Sequence, residues 1–344
     1  MSSRGATLGV SLALAVGLGV GGSQIKVPYV GLGPGPIFNT LGASGGSQLI
    51  QVPPERDHPA KGELNLTTVN VYTDLTLADA VWKWFDSSFA VVPHDVIYPP
   101  GTSVEDADKQ TRVEMTKSQE DAVTAALCEL GTPVVARVEL EGVGDESPAE
   151  KAGLRANDVV TAIDGQTVDS VCTLRRLMLK HKPGDLVRIG YRRGQNGPDR
   201  TAEVQTRAGD VGPDGAPLMG VGLVERDQKP PFEVKIALND VGGPSAGLMF
   251  ALGIYDRLTP GDLTGGFVIA GTGSINEDGT VGAIGGIQQK LVAAKEYGAK
   301  YFLTPAGNHD EARRATPDGL TLVPVATFTE ALDAVRKIAD GSLR

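Results

Sequence analysis

The chain of 344 residues has few of the residue types that build metal centres or disulfide frameworks. It contains two cysteines and four histidines, which are scattered: Cys128, Cys172, His58, His94, His181 and His309. Neither cysteine lies at a metal-ligand spacing and no zinc signature occurs, so we predict no metal and no cofactor. Both cysteines fall in partly apolar segments of helical pattern, so we expect buried free thiols. The alternative is a disulfide between them in a compartment outside the cytoplasm.

Positive charge is also scarce. Lysine and arginine number 32 against 42 acidic residues, which gives a formal net charge of −10 at pH 7. Binding the phosphates of nucleic acid requires a basic face, so this balance argues against nucleic acid as a partner. The phosphate-loop pattern Gly-x-x-x-x-Gly-Lys-Ser/Thr occurs nowhere in the 344 residues, so they contain no ATPase unit of that type.

Long apolar runs are rare, with one exception near the N-terminus. Residues 5–22 carry no charge, with Arg4 before them and Lys26 after them. This length predicts a transmembrane anchor or a signal segment over residues 1–27. With Arg4 on the cytoplasmic side, the other domains would lie outside the cell membrane as parts of a single-pass protein. They would be secreted if the segment were cleaved.

The most informative stretch is residues 239–247, Asn-Asp-Val-Gly-Gly-Pro-Ser-Ala-Gly. An alternating run before it predicts a strand over 232–238, and an apolar run after it predicts a buried helix over 248–255. Ser245 therefore lies where a strand becomes a helix, among glycines that allow sharp bends. The unpaired N–H groups at a helix start favour developing negative charge, which suits a nucleophile beside an oxyanion site. The alternative is a glycine-rich helix cap with a structural serine.

A second stretch favours the nucleophile. Residues 284–290, Ile-Gly-Gly-Ile-Gln-Gln-Lys, begin another predicted helix, and Lys290 is the only cation in its first turn. The helix macrodipole disfavours a lysine at that end. Close to a serine, this position would lower the pKa of the amine and let the neutral amine accept the hydroxyl proton.

These residues resemble the proteolytic domain of the Lon family of serine proteases. The resemblance spans roughly residues 232–336 and rests on the motifs at 243–247, 272–273, 279–282, 286–290, 305–308 and 322–325. It implies a catalytic dyad of Ser245 and Lys290, with Thr272 orienting the lysine. It further implies that Gly243, Pro244 and Ala246 support the serine and that the chain forms homo-oligomers, since Lon-type domains often form rings. Two positions depart from ATP-dependent members: Gly242 replaces an acidic residue, and Ser274 replaces a glutamate.

The middle of the chain resembles a PDZ domain of the bacterial protease-associated type. The resemblance rests on Ser-Pro-Ala-Glu-Lys-Ala-Gly-Leu at 147–154, Asn-Asp-Val-Val at 157–160 and Ile-Asp-Gly at 163–165. It implies a β-rich domain over residues 131–208 that binds peptide C-termini or apolar segments by adding them to a sheet edge. We expect the groove between strand 134–140 and helix 171–181. The binding edge would be Val134, Val135, Ala136 and Arg137. The alternative is an inert spacer.

The predicted fold is α+β and multidomain: the N-terminal segment 1–27, an α/β region over 28–130 without assigned chemistry, the PDZ domain 131–208 and the Lon-type domain 220–340. In the second region, residues 75–85 have helical periodicity, and we interpret Trp82, Trp84 and Phe85 as core residues. The alternative is that these aromatic side chains face a membrane surface. This organisation resembles the membrane-anchored, PDZ-containing Lon-like proteases of bacteria. The resemblance implies an ATP-independent serine endopeptidase that acts on unfolded or partly folded polypeptides.

Two other functions stay open. Residues 243–247 also fit Gly-x-Ser-x-Gly, the nucleophile elbow of α/β-hydrolases, and Asp278 and His309 follow in the order of a catalytic triad. In the second alternative the chain is a non-catalytic scaffold, in which the PDZ unit binds partners and the Lon-like unit only oligomerises.

Overall fold

The computed structural model describes residues 21–44, 46–194, 197–208, 217–238 and 241–343. Most of the predicted N-terminal segment 1–27, and also Asn239 and Asp240, lie outside these ranges. Within them, no helix has the length and apolarity needed to cross a membrane.

The strands longer than two residues are β1 Tyr29–Asn39, β2 Glu63–Tyr72, β3 Ala90–Pro93, β4 Val135–Val143, β5 Asp158–Ile163, β6 Leu186–Arg193, β7 Asp199–Gln205, β8 Val221–Lys229, β9 Val268–Gly271, β10 Tyr301–Pro305 and β11 Thr321–Val325. The α-helices are α1 Leu77–Phe85, α2 His94–Ile97, α3 Val104–Glu129, α4 Pro148–Lys151, α5 Val171–Met178, α6 Gly247–Leu258, α7 Ile287–Tyr297, α8 His309–Ala315 and α9 Phe328–Ala339. Two-residue strands pair 43–44 with 47–48, 50–51 with 235–236, 166–167 with β5, 207–208 with 217–218, and 274–275 with 281–282.

One six-stranded sheet has the order β11-β10-β9-β2-β1-β3. Strand β2 pairs in parallel with β9, with Glu63–Leu66 opposite Val268–Gly271, and antiparallel with β1. The region that the sequence separates as 28–130 therefore belongs to the same sheet as the Lon-like strands. The predicted boundaries do not coincide with this sheet, because the pairing joins residues about 200 positions apart and leaves no local signal in the sequence.

Helices cover both faces of this sheet. Successive residues of β9 point to opposite sides: Ile269 packs in a core with helices α3, α6 and α9, whereas Ala270 packs with helices α7 and α8. Helix α6 is buried almost throughout, as the apolar run after Ser245 predicts. The long helix α3 lies against it, with Met115 and Ala126 in the shared core.

A second sheet, of order β7-β6-β5-β4-β8, forms the β-rich module with helix α5 packed in its core. Its last strand, β8, lies beyond the predicted end of the PDZ domain at residue 208. The stretch before β8 is rich in Gly, Pro and Asp and has the composition of a linker, which hid this strand. The module is therefore inserted between helix α3 and helix α6 of the other half of the molecule.

The predicted peptide-binding edge, Val134, Val135, Ala136 and Arg137, is not an edge in the structure. Strand β4 lies inside its sheet, where it pairs with β8 on one side and with β5 on the other. Val135 lies opposite Lys229, and Arg137 lies opposite Arg226. The edge of this sheet next to helix α5 belongs instead to β8.

Helix α1 confirms the helical prediction, but the interpretation of its aromatic residues as core is wrong. The helix begins with a capping box between Thr76 and Asp79. Trp82, Trp84 and Phe85 are all exposed. The amphipathic periodicity is real, but the apolar face points away from the sheet.

The two cysteines also differ from the expectation of free thiols. Cys128 and Cys172 form a disulfide, with their Cα atoms 5.7 Å apart. The bond joins the end of helix α3 to the start of helix α5, and therefore ties the two halves of the molecule together. Helical patterns place each cysteine on an element but carry no information about which elements meet.

Candidate active site

The loop before helix α6 holds Ser245 through contacts with helix α3. Gly243 has a left-handed backbone (φ 84°), and its N–H donates to the carbonyl of Thr111 at 2.8 Å. The Ser118 hydroxyl donates to the carbonyl of Pro244 at 2.9 Å. Ala246 is buried at the N-cap position of α6. These contacts come from a helix that the sequence analysis left without a role.

Helix α7 brings the lysine to the serine. Gly286, in a left-handed conformation (φ 68°), caps the helix and turns the chain so that Lys290 in the first turn points inward. Lys290 Nζ donates to Ser245 Oγ at 2.6 Å and to Thr272 Oγ1 at 2.9 Å. The Thr272 hydroxyl donates to the carbonyl of Ser245 at 3.0 Å. The structure thus brings together the three residues that the sequence analysis singled out.

Burial sets the charge state of this lysine. Lys290 is 2% exposed, and burial lowers its pKa from 10.5 to about 7. An ammonium group loses hydration when it is buried, which favours the neutral amine. A neutral amine at hydrogen-bond distance from a hydroxyl can accept its proton and so activate the oxygen as a nucleophile.

A cavity of about 350 Å³ opens beside this pair. It is lined by Pro36, Thr67, Thr68, Val69, Asn70, Val241, Gly242, Pro244, Ser245, Ala246, Gly285 and Lys290. Pro36 and residues 67–70 come from strands β1 and β2, whose part in the site the sequence analysis missed. The only local signal in the sequence is the pair of adjacent threonines, because polar and apolar residues otherwise alternate along this strand. Both are buried, although they must point to opposite faces.

Among the residues that the structure describes, no strand pairs with the edge of β2 next to the cavity beyond the short parallel ladder with β9. That ladder with β9 ends at Leu66, and the Thr67 hydroxyl donates to the carbonyl of Gly271 at 3.1 Å. Residues 68–70 continue past this point with β1 on their other side. An extended polypeptide in the cavity can therefore pair with this edge.

The two positions that depart from the pattern of ATP-dependent Lon enzymes, Gly242 and Ser274, lie close to neighbouring residues. At Gly242, a Cβ atom would lie 2.6 Å from Thr111 Oγ1, so an acidic side chain does not fit without movement of helix α3. Ser274 lies in the short pair 274–275 with 281–282, where a Cβ atom at Gly282 would approach Ser274 Oγ to 2.3 Å. Both positions are close-packed against neighbouring elements.

The triad alternative is not assembled. Asp278 Oδ1 accepts hydrogen bonds from the backbone N–H and the hydroxyl of Thr280. His309 Nδ1 is buried without a hydrogen-bond partner in the described part of the chain. Ser245 Oγ accepts instead from Lys290. The geometry therefore selects lysine rather than histidine as the base beside the serine.

A second group of contacts lies where the β-rich module meets the part of the molecule that contains Ser245 and Lys290, which is called the catalytic half below. The hairpin that contains residues 274–282 places its tip on the free edge of β8 and on helix α5. Glu277 Oε2 accepts from the backbone N–H of Glu225 at 3.0 Å, and the carbonyl of Asp278 accepts from Arg175 Nη1 at 2.7 Å. Glu225 Oε1 in turn accepts from the N–H of Val171 at 2.6 Å. The groove between β8 and α5 is thus occupied from within the molecule.

Acidic groups gather at this contact. Burial raises the pKa of Glu225 to about 7 and also raises the pKa of Glu277, which lies beside it. Asp121 on helix α3 lies in the same cluster, and Lys117 bonds its carboxylate at 2.8 Å. A cleft of about 790 Å³ continues from here between helix α3 and residues 224–228 of β8. The free edge of β8 is therefore accessible along part of its length.

Comparison with known proteins gives two family matches. Residues 101–206 match the PDZ domain family, and residues 239–337 match the Lon protease C-terminal proteolytic domain. Lon protease 2 of Bacillus subtilis is 38% identical over 97 residues, which is 28% of this chain and 17% of that protein. Lon protease of Buchnera aphidicola is 38% identical over 93 residues, which is 26% of this chain and 12% of that protein.

An archaeal Lon protease of Methanocaldococcus jannaschii is 35% identical over 95 residues, or 28% of this chain and 14% of that protein. Among solved structures, the PDZ domain of an SdrC-like protein of Listeria monocytogenes is 30% identical. The match covers 25% of this chain and 86% of the Listeria domain, with a TM-score of 0.23. The chain covers between 12% and 17% of the length of the three relatives named here. It contains a PDZ domain and a proteolytic domain homologous to that of Lon proteases.

Proposed function

We propose that the chain is a serine endopeptidase that works without ATP, with Ser245 as nucleophile and Lys290 as general base. The observation that carries the proposal is the 2.6 Å hydrogen bond between Lys290 Nζ and Ser245 Oγ. Burial, which lowers the pKa of this lysine to about 7, supplies the neutral amine that the reaction requires.

The reaction begins when the neutral amine of Lys290 takes the Ser245 proton and the oxygen attacks the peptide carbonyl. Backbone N–H groups of the loop around Ser245 stabilise the oxyanion. Protonated Lys290 donates to the leaving amine, and water then deacylates the serine by the reverse route. Thr272 fixes the lysine because its hydroxyl contacts both Lys290 Nζ and the carbonyl of Ser245.

The substrates are unfolded or partly folded polypeptides. The free edge of β2 at residues 68–70 favours an extended chain, which a folded substrate does not offer. The absence of a phosphate loop from these 344 residues fits substrates that need no ATP-driven unfolding.

The PDZ domain captures or senses peptides at the edge of β8 beside helix α5. The hairpin that occupies this groove follows directly after Thr272 and Gly273, and the Gly273 N–H donates to the carbonyl of Ser245 at 2.9 Å. A peptide that displaces Glu277 from the Glu225 N–H would therefore pull on the residues that hold the dyad. In this way the PDZ domain restrains the catalytic site until a peptide binds.

The chain works outside the cell membrane, to which residues 1–27 attach it. A disulfide between Cys128 and Cys172 supports this location, because disulfides persist in oxidising compartments and are rare in the cytoplasm. By analogy with Lon-type domains, the active form is a homo-oligomer.

The test is hydrolysis of an unfolded protein by the full chain without ATP. Ser245→Ala and Lys290→Ala should both abolish cleavage. Lys295→Ala, an exposed lysine on the same helix, serves as the matched control and should leave it intact. Residual cleavage by Ser245→Ala would refute the nucleophile. An inactive wild type in its assembled form, with PDZ peptide supplied, would favour the scaffold alternative.

A further inference from the structure

One surface of the catalytic half is apolar and aromatic. On helix α1, Trp82 is 75% exposed, Trp84 is 69% exposed and Phe85 is 84% exposed. Leu77 and Val81 continue this surface, and a groove of about 260 Å³ runs among its side chains. Single exposed apolar residues are ordinary, but a contiguous group of large ones marks a contact surface. We call residues 77, 81, 82, 84 and 85 the aromatic patch.

The three aromatic side chains of the patch contribute little to the packing of the fold. Within helix α1, the buried residue is Ala80. Lys83 points toward the sheet, with Nζ 4.1 Å from the ring centre of Tyr72 and 3.8 Å from that of Phe89. The helix therefore turns its charged residue inward, held by two cation–π contacts, and its tryptophans outward. This is the reverse of a helix that packs on a core with its apolar face.

The chain enters the described structure beside the aromatic patch. The N–H of Val27 donates to the carbonyl of Leu75 at 3.0 Å, and the N–H of Leu77 donates to the carbonyl of Ile25 at 2.8 Å. These bonds tie residues 25–27 to the start of helix α1. The uncharged stretch 5–22 ends three residues earlier, which is at most about 10 Å of extended chain. Whatever holds that stretch therefore lies next to the patch.

The surrounding charges do not form a basic ring. Lys26 is paired with Asp74 at 2.7 Å, and Asp79 is used as a helix cap. Lys83 is turned away from the surface by its aromatic partners. The chemistry on offer is thus two amphipathic indole rings and aliphatic surface, which suit the boundary between lipid headgroups and acyl chains.

We propose that the aromatic patch rests in the interfacial layer of the bilayer that holds residues 5–22. The inference rests on the proposed membrane attachment and adds a second contact, through the folded catalytic half. It fixes the orientation of that half, because one tethered segment permits rotation and two contacts do not. Strand β2 runs from the cavity residues 67–70 to Tyr72, which lies behind the patch. The catalytic cavity is thereby held close to the membrane surface, where it reaches polypeptides at that surface.

The chain offers a direct probe, because Trp82 and Trp84 are its only tryptophans. The full chain is reconstituted into phosphatidylcholine vesicles, with lipids brominated either near the headgroup or deep in the acyl chain. Tryptophan emission should move to shorter wavelength, and headgroup-proximal bromine should remove most of its intensity while deep bromine removes less. Adding anionic lipid should leave the quenching unchanged. The matched control carries Trp82→Tyr and Trp84→Tyr with Leu186→Trp, an exposed position in the PDZ sheet, and should not be quenched.

Each other result overturns the proposal in a distinguishable way. A chain that does not float with the vesicles refutes the anchor, and the patch contact with it. A chain that floats but keeps unquenched, water-exposed emission refutes the patch contact alone. Short-wavelength emission that bromine does not quench means that protein covers the patch. Dependence of that emission on the protein-to-lipid ratio identifies a second copy of the chain. Independence of the ratio identifies the chain's own N-terminal segment.

Discussion

The rate of peptide cleavage should rise steeply with pH near neutrality, because Lys290 must be neutral to act as a base. With its pKa at about 7, the neutral fraction is about 10% at pH 6, about 50% at pH 7 and about 90% at pH 8. A lysine at the ordinary value of 10.5 would be only about 0.03% neutral at pH 7. We therefore expect kcat/KM for an internally quenched peptide to increase about tenfold between pH 6 and pH 8 and then to level off.

Variants can assign this profile to the lysine. Asn70 lines the same cavity as Lys290, so Asn70→Asp adds a negative charge that favours the ammonium form and should move the profile to higher pH. Asn70→Ala tests whether loss of the amide alone has this effect. Glu225 has a pKa in the same range and lies at the PDZ contact, so the profile is repeated with Glu225→Gln. A profile that is flat from pH 6 to pH 8, or that moves with Glu225→Gln and not with Asn70→Asp, would refute the assignment.

Other predictions follow from neighbouring contacts. Lys290→Met should abolish cleavage but raise the unfolding free energy at pH 7 by a few kcal/mol. The depressed pKa makes the wild type gain stability as pH rises from about 7 towards 10.5, so the difference in urea midpoint should shrink over that range. Thr272→Val should lower kcat by about tenfold or more and alter the pH profile, since it removes a hydrogen bond from Lys290. Glu277→Ala should abolish any change in kcat/KM caused by added PDZ peptide, whereas Glu203→Ala on exposed β7 should preserve it. Cys128→Ser should cost ~4 kcal/mol in chemical denaturation, estimated from the sequence separation of 44, and reduced wild type should match it.

The sequence identifies the pair of Ser245 and Lys290 better than it predicts the architecture. Ser245 and Lys290 stand out because glycines and helix starts are local features that a few neighbouring residues define. Thr67 and Thr68 do not stand out, because their place at the cavity depends on β2 pairing with a strand about 200 residues away. Composition also misleads in one place: the Gly- and Pro-rich stretch before β8 resembles a linker, yet β8 supplies the edge of the PDZ sheet.

Periodicity has a related limit. The spacing in residues 77–85 correctly indicates an amphipathic helix. It does not say whether the apolar face of that helix packs on the sheet or points away from it. In the structure helix α1 instead turns Lys83 inward, where it contacts Tyr72 of β2 and Phe89 of the turn before β3. The disulfide between Cys128 and Cys172 is hidden for the same reason, since each helix is predictable and their meeting is not.

The insertion of the PDZ domain also determines the order in which the protein can be completed during synthesis. Strands β4 to β8 are consecutive, so this sheet can close as soon as residue 229 has emerged. The catalytic sheet must wait, because β2 has to find β9 across the whole inserted domain, and such distant parallel pairing is slow. Lys290 arrives later still. Under the proposed function, a nascent chain of this design would therefore be unable to cleave itself or its neighbours until its PDZ domain is already folded.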